Sequence, residues 1–252
     1  LAEIGRLEGE FSLHRANSAI CRLNQDGRLA RPSLDMRRVL QRAMHYGEIT
    51  DGAFDVTIQP LWQAVSDSLR GGAEPAPRLL DAARALVNFR DVDIGAAEIR
   101  LARPGMAVTL NAIAQGYVTD RVAGLLADGG FADTLVDVGE LRAGTAPWRI
   151  GLAHPGRDEA QAMLRNCGIA TSAGGGSAFS ADGRWHHIID PRSATCPPAG
   201  RAASVIAASA ADADALATAL TLLPLATAPG LLRQAAAYAL LSEPGQAQRW
   251  LA

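Results

Sequence analysis

Apolar positions along the first ninety residues recur every three or four places, which is the stripe of amphipathic helices. Leu1–Leu13 carries Ile4, Leu7 and Phe11 at that spacing, and polar Asn24-Gln25-Asp26-Gly27 reads as a loop. A second helix runs from Ser33 or Asp35 to about His45, with Met36, Val39, Leu40 and Ala43 inward. Thr50–Asp55 is a turn-rich loop bearing two carboxylates, and Pro60 suits the first turn of a short helix, Pro60–Leu69. Arg70–Pro77 reads as a surface loop and Arg78–Val87 as another helix. From Asp91 the period drops to two. Val92-Asp93-Ile94, Glu98–Leu101 and Met106–Leu110 then read as an antiparallel meander, turning at Gly95-Ala96-Ala97 and Arg103-Pro104-Gly105.

The chain is organised around Val108–Leu126. A short strand, Ala107–Leu110, passes through small residues, Ala112 to Gly116, into an amphipathic helix. Tyr117, Val118, Val122, Leu125 and Leu126 fall on one side of it, with Thr119, Asp120 and Arg121 elsewhere. Free N–H groups at such a helix start suit a phosphate, although most such turns are only tight packing. Further strands are expected at Thr134–Val138, Trp148–Leu152, Gly168–Ala170, Arg184–Ile189, Ala202–Ala207, Tyr238–Leu241 and Gln246–Trp250. Ser209–Leu223 is a helix with a capping-box start, Ser209 facing Asp212. Helices early and strands later define an α+β class: a mixed, largely antiparallel sheet with packed helices, read as one domain over residues 1–252.

Composition narrows the chemistry. A net charge of −2 on 252 residues provides no field to gather nucleic acid or anionic membrane. Every basic residue besides histidine is Arg, so no Lys can form a Schiff base or clamp a phosphate. Phosphate charge must then be met by Arg, backbone amides or a metal. Cys21, Cys167 and Cys196 fit no zinc spacing and make no complete disulfide framework. No apolar run reaches membrane-spanning length. The chain begins at Leu1 inside a helical pattern, so a removed leader or a trimmed start is expected.

Three stretches carry candidate chemistry. In D-A-D-A-L-A-T-A-L, Asp214 and Thr218 stand four apart on one helical face, while Leu216, Leu220 and Leu223 share another. A hard cation such as Mg²⁺ would justify an inward carboxylate and hydroxyl. On spacing alone the commoner explanation is that Asp214 favours the helix start and Thr218 bonds back to its own helix. In W-H-H-I-I-D-P-R a strand would set His187 and Ile189 on one face and His186, Ile188 and Asp190 on the other. One of the histidines could accept a proton, and Asp190-Pro191 reads as a turn starter. Asp51, Asp55 and Thr57 surround Phe54 in T-D-G-A-F-D-V-T-I-Q-P-L, a set that suits a heterocycle with NH edges. Loop capping by Asp with Phe54 plugging the core accounts for it equally well.

Five blocks in order then resemble the ApbE-like family, the FAD:protein FMN transferases. They are F-S-L-H-R-A-N-S-A-I-C-R-L-N (Phe11–Asn24), the Thr50–Leu61 loop, T-L-N-A-I-A-Q-G-Y-V-T-D (Thr109–Asp120), H-H-I-I-D-P-R (His186–Arg192) and A-D-A-L-A-T-A-L (Ala213–Leu220). The resemblance implies an ApbE-like fold and a Mg²⁺ ion held by Asp214, Thr218 and the main-chain carbonyl of Ala112. It implies a flavin site at Ala53, Phe54 and Asp55, with His187 beside the flavin or its phosphates. His187 and Asp214 are the catalytic candidates. FAD is the substrate: a Thr or Ser hydroxyl of a partner protein takes FMN and AMP leaves.

This chain departs from the family pattern at Thr109, usually Asp, at Gln115, usually Lys or Glu, and at His14, usually Tyr. These positions commonly touch FAD and are carried as cofactor-binding candidates. The usual Gly-Gly after V-D-V is Gly139-Glu140, and the family's N-terminal strand lies outside the residues from Leu1 onward. Two alternatives follow: a protein that binds FAD or a partner and has lost turnover, and a Mg²⁺-dependent FAD pyrophosphatase. The family also implies work on the outer face of the bacterial inner membrane, in the periplasm, with peripheral membrane association through a removed leader or lipid anchor.

Overall fold

Hydroxyl caps decide where the early helices begin in the computed structural model, which describes residues 1–252. Helix α1 (Ala2–Phe11) buries Leu7 and Phe11. Ser18 then accepts the Cys21 N–H at 3.1 Å and opens α2 (Ala19–Asp26). Asn24–Asp26 is therefore the last turn of a helix and not a loop, and Gly27 at φ +67 ends it. After β1 (Arg28–Ala30), Ser33 caps α3 (Leu34–Ile49), which buries Met36, Val39, Leu40 and Ala43 as expected. Helices α4 (Gln59–Arg70) and α5 (Pro77–Arg84) each carry Pro in the first turn. Strands β2 (Val92–Ile94) and β3 (Glu98–Leu101) complete a three-stranded antiparallel sheet of order β1-β3-β2. These elements belong to a compact unit formed by Leu1–Asn111 and Ile189–Thr195.

The expected third meander strand, Met106–Leu110, does not pair; β1 takes its place. The Asn24 side chain accepts the Val108 N–H at 2.7 Å and donates to the Val108 carbonyl at 2.8 Å. Thr109 N–H goes to the Val56 carbonyl at 2.8 Å. With those backbone groups already satisfied, Met106, Val108 and Leu110 bury without a ladder. The alternation reports burial, not pairing.

A second unit holds Ala112–Ile188 and Cys196–Ala252. It comprises α6 (Ala114–Asp128), β4 (Leu135–Asp137), β5 (Leu141–Ala143), β6 (Trp148–Leu152), β7 (Ala160–Leu164) and β8 (Gly168–Ala173). Then come β9 (Ala202–Ala207), α7 (Ala210–Leu222), α8 (Ala228–Gln234), β10 (Tyr238–Ser242) and β11 (Arg249–Leu251). Six strands form one sheet in the order β11-β10-β9-β8-β5-β4, and β6 pairs with β7 as a separate hairpin. Every pairing is antiparallel, so the α+β architecture is as expected. Leu152 and Leu164 of the hairpin pack with Ala143, Ile169 and Leu240 on one face of the sheet. Helix α7 packs on β8 and β9 and, by strand alternation, covers the other face. No helix is long and apolar enough to cross a membrane.

Two expectations fail in this unit. Arg184–Ile189 is not a strand: it makes an isolated bridge from His186 to Ala178 and otherwise spends its backbone locally. Trp185 C=O accepts the N–H groups of Phe179 and Ser180, and Ile188 N–H donates to the His186 ring. The turn at Asp182-Gly183 (φ +70) folds the segment onto itself before a ladder can form. The buried face of α6 is also wrong in the apolar reading. It buries Gly116, Tyr117 and Thr119, while Leu125 is 48% exposed. The reason is close approach: a Cβ on Gly116 would lie 2.2 Å from the Ala210 carbonyl oxygen. A small residue, not an apolar one, marks that interface.

Two glycines of α6 make a controlled comparison. Gly116→Ala should lower unfolding stability by about 2–4 kcal/mol, because Ala210 backbone must shift. Gly124→Ala meets nothing within 4 Å and should stabilise the helix by up to about 1 kcal/mol. Denaturant unfolding of both variants checks the pair; equal effects would contradict the packing described.

Candidate functional site

Helix α7 is buried almost all round, so its first N–H groups cannot reach water and need protein acceptors. Ser209 Oγ accepts the Asp212 N–H at 3.1 Å and donates to the Asp212 carboxylate at 2.6 Å. The Asp120 carboxylate of α6 accepts the N–H groups of Ala210 and Ala211 at 2.9 and 3.0 Å. Gly168 of β8 lets the same turn close in: a Cβ there would lie 2.2 Å from Ala210 N.

That placement carries Asp214 into the interior at 4% exposure, with one oxygen accepting the Gly116 N–H at 3.2 Å. This N–H belongs to the start of α6, the group expected to suit a phosphate, and here it serves a carboxylate. Burial drives the Asp214 carboxyl up to about 7, against the opposing pull of the Gly116 bond. Glu140 is raised further, to about 8, by burial and then by the Asp214 charge, with Asp137 adding a smaller push. Thr218, half-buried one turn beyond Asp214, has its Oγ1 3.1 Å from Ser172 Oγ on β8.

The other predicted residues of this unit are placed as follows. Ala112 stands two residues before α6 and four before Gly116. Gln115 is exposed in the first turn of α6, its Nε2 beside Gly139. His187 is half-buried; its Nδ1 lies 3.4 Å from the Ser177 carbonyl, which leaves Nε2 as the acceptor of the neutral ring. Burial lowers its pKa below the usual 6.5. His186 is fully buried, bonded to the Pro197 carbonyl and the Ile188 N–H, and is a core histidine.

The remaining candidates belong to the first unit. Ala53 and Phe54 are buried, and Phe54 meets the Tyr46 ring edge-on at 6.1 Å. Both Asp55 oxygens are engaged: one accepts the Thr57 N–H and hydroxyl at 2.7 and 2.6 Å, the other the Phe89 N–H at 2.9 Å. Burial raises the Asp55 pKa above 3.8. His14 is exposed and Thr109 half-buried, its hydroxyl accepting the Asn111 N–H at 3.3 Å.

Sequence reasoning missed Asp120, Ser172 and Glu140. Asp120 closes the Thr109–Asp120 motif and Glu140 follows Gly139, but only the packing of α6, α7 and β8 shows what they face. No three His, Cys, Asp or Glu side chains are arranged to hold a metal by themselves. A cation at Asp214 would take hydroxyl, main-chain and substrate oxygens as well, an all-oxygen set of the kind Mg²⁺ accepts.

The sheet face opposite α7 is polar at one point. His154 Nδ1 and Nε2 lie 2.5 and 2.8 Å from Ser242 Oγ and Ser204 Oγ, and Ser204 continues to Thr171 Oγ1 at 2.6 Å. All but Thr171 are buried.

The fold is an antiparallel α+β one whose helix α7 carries a buried carboxylate and, one turn on, a hydroxyl. The chain belongs to the ApbE family, whose profile matches residues 1–241. It is 31% identical over 255 residues to an FAD:protein FMN transferase of Treponema pallidum, covering 89% of this chain and 70% of that protein. It is 32% identical over 203 residues to one of Klebsiella pneumoniae, covering 75% and 63%. The flavin transferase ApbE of Vibrio cholerae superposes with a TM-score of 0.83 at 25% identity, covering all of this chain and 86% of that one. The apo form of the Pseudomonas stutzeri flavinyl transferase ApbE does so at 0.85 and 28%, covering 99% and 84%.

Burial, then Arg157, lowers the His154 pKa below 6.5, so the fold keeps this ring neutral while the unfolded chain protonates it. The stability it contributes is present above pH 6.5 and lost as pH falls through the folded value. His154→Gln should flatten the acid limb of a stability-versus-pH curve, read by thermal melts below pH 6.5; an unchanged limb would refute the assignment.

Proposed function

We propose that this chain transfers FMN from FAD to a Thr or Ser hydroxyl of a partner protein, with Mg²⁺ held by Asp214, Thr218 and the Ala112 carbonyl. The observation that carries this reading is the pairing of the family match with Asp214, buried beside the start of α6 on the same helical face as Thr218. The donor chemistry fits the ion: carboxylate, hydroxyl and carbonyl oxygens with no thiolate or imidazole among them. Bound there, Mg²⁺ offsets pyrophosphate charge and makes phosphorus a better electrophile.

The chain's own groups then divide the remaining work. Asp214 is the anchoring charge, and its carboxyl must lose its proton before it can serve, since burial raises its pKa to about 7. His187 presents a bare Nε2 and stays neutral near pH 7, so it can accept the proton of the attacking hydroxyl. The hydroxyl oxygen bonds to the FMN-side phosphorus, the pyrophosphate P–O bond breaks, and AMP leaves with the electron pair. No protein nucleophile is required. Ala53, Phe54 and Asp55, with His14, Thr109 and Gln115, are proposed as the flavin-binding positions. For Asp55 the role is to tie the Thr57 and Phe89 backbone together next to Phe54, because both carboxylate oxygens are engaged there. The proposed location is the outer face of the bacterial inner membrane, in the periplasm.

Incubation with FAD, Mg²⁺ and a Thr-bearing acceptor peptide tests the reading. Stoichiometric AMP and flavin-labelled peptide are expected, and Asp214→Asn or Thr218→Val should reduce the rate by about 100-fold or more. Absence of both products while FAD binds would overturn it, and AMP with free FMN in the absence of peptide would identify a hydrolase instead.

A further inference from the structure

We infer that Ser172 is a positioning residue for Thr218: its hydroxyl accepts the Thr218 proton and so leaves the Thr218 oxygen free to face a divalent cation. This rests on the metal reading above and adds a residue that the reading does not use.

Side-chain hydroxyls on helices ordinarily spend their proton on their own backbone. Thr119 of α6 donates to the Gln115 carbonyl at 2.8 Å, and Thr221 of α7 to the Thr218 carbonyl at 2.7 Å. Thr218 behaves differently. Its Oγ1 reaches across to the strand and lies 3.1 Å from Ser172 Oγ. The register of β8 makes this contact possible: Gly168 abuts Ala210 of α7, and Ser172, four residues on, shares that face. Its neighbour Thr171 turns the opposite way and bonds Ser204 at 2.6 Å, which fixes the strand from behind.

A hydroxyl has one proton and two lone pairs. In the metal-free pair either oxygen can be the donor. A cation on Thr218 removes that freedom, because Thr218 cannot aim its proton at the ion. The bond must then run from Thr218 to Ser172, and Ser172 supplies the acceptor. Without it the Thr218 proton turns to the helix carbonyls or toward the ion, and the oxygen becomes a poorer ligand.

The test uses the full chain with FAD and no acceptor peptide, titrated with Mn²⁺ and followed by electron paramagnetic resonance of the free ion. Ser172→Ala and the near-isosteric Ser172→Cys should each weaken Mn²⁺ binding about tenfold, and Ser172→Thr should restore it to within about twofold. Metal-free melting of all three should stay within a few degrees of the parent. If Ser172→Ala and Ser172→Cys bind as tightly as the parent while Thr218→Val does not, the positioning role is wrong and the metal site stands. Failure of Ser172→Thr to restore binding also overturns it. If Asp214→Asn and Thr218→Val bind Mn²⁺ as well as the parent, the metal reading itself fails and takes this inference with it.

Discussion

A helix with no solvent-facing side has to satisfy its own ends inside the protein, and α7 of the second unit is such a helix. Eleven of its thirteen residues are buried. Its N-terminal N–H groups go to Asp120 and Ser209, and the Leu223 carbonyl at its other end accepts from Arg201 at 2.5 Å. At the N-terminal end Gly116 and Gly168 present bare backbone to Ala210, where any Cβ would collide. The polar caps and the two glycines are one arrangement.

Seating α7 this way determines the chemistry of Asp214. Water is excluded, a single N–H from Gly116 is its bonded partner, and Glu140 crowds it with a second acidic group. Both carboxyls are pushed toward holding protons. Isolated carboxylates in such a place are costly, and the two ways to relieve them are protonation and a cation. With Asp214 pushed up to about 7 and Glu140 to about 8, both carboxyls hold their protons in part near neutral pH. The positive end of α6 pulls the other way, since its N–H faces Asp214 and favours the ionised carboxylate.

Much of this was legible in the sequence, and the failures share a cause. The stripe Met36-Val39-Leu40-Ala43 and the Ser209 cap rest on local periodicity and local hydrogen bonding, and both are as read. The Asp214/Thr218 face is fixed by helical geometry alone. Met106–Leu110 and Arg184–Ile189 looked like strands because they alternate, yet a strand needs a partner, and Asn24 or the segment's own turns had already taken the backbone groups. The α6 face was misassigned because a scale that rewards apolar side chains passes over Gly116. Asp120, Ser172 and Glu140 were invisible for a related reason: their partners lie 90, 46 and 74 residues away along the chain.

The departures from the family pattern can be weighed on the same physical terms. Gly139 adopts φ +101, and a Cβ there would lie 2.8 Å from the Gln115 amide nitrogen, so this position cannot easily carry a side chain. Glu140 is not in the left-handed region, and its carbonyl accepts the Val138 N–H at 3.2 Å and the Thr119 hydroxyl at 3.3 Å. The chain thus has glycine where its backbone demands one and a side chain at the next position, where it does not. Gln115 and Glu140 flank Gly139, one by its side chain and one by sequence. Gln115 is a neutral amide at the start of α6, and Glu140 places a carboxyl near Asp214.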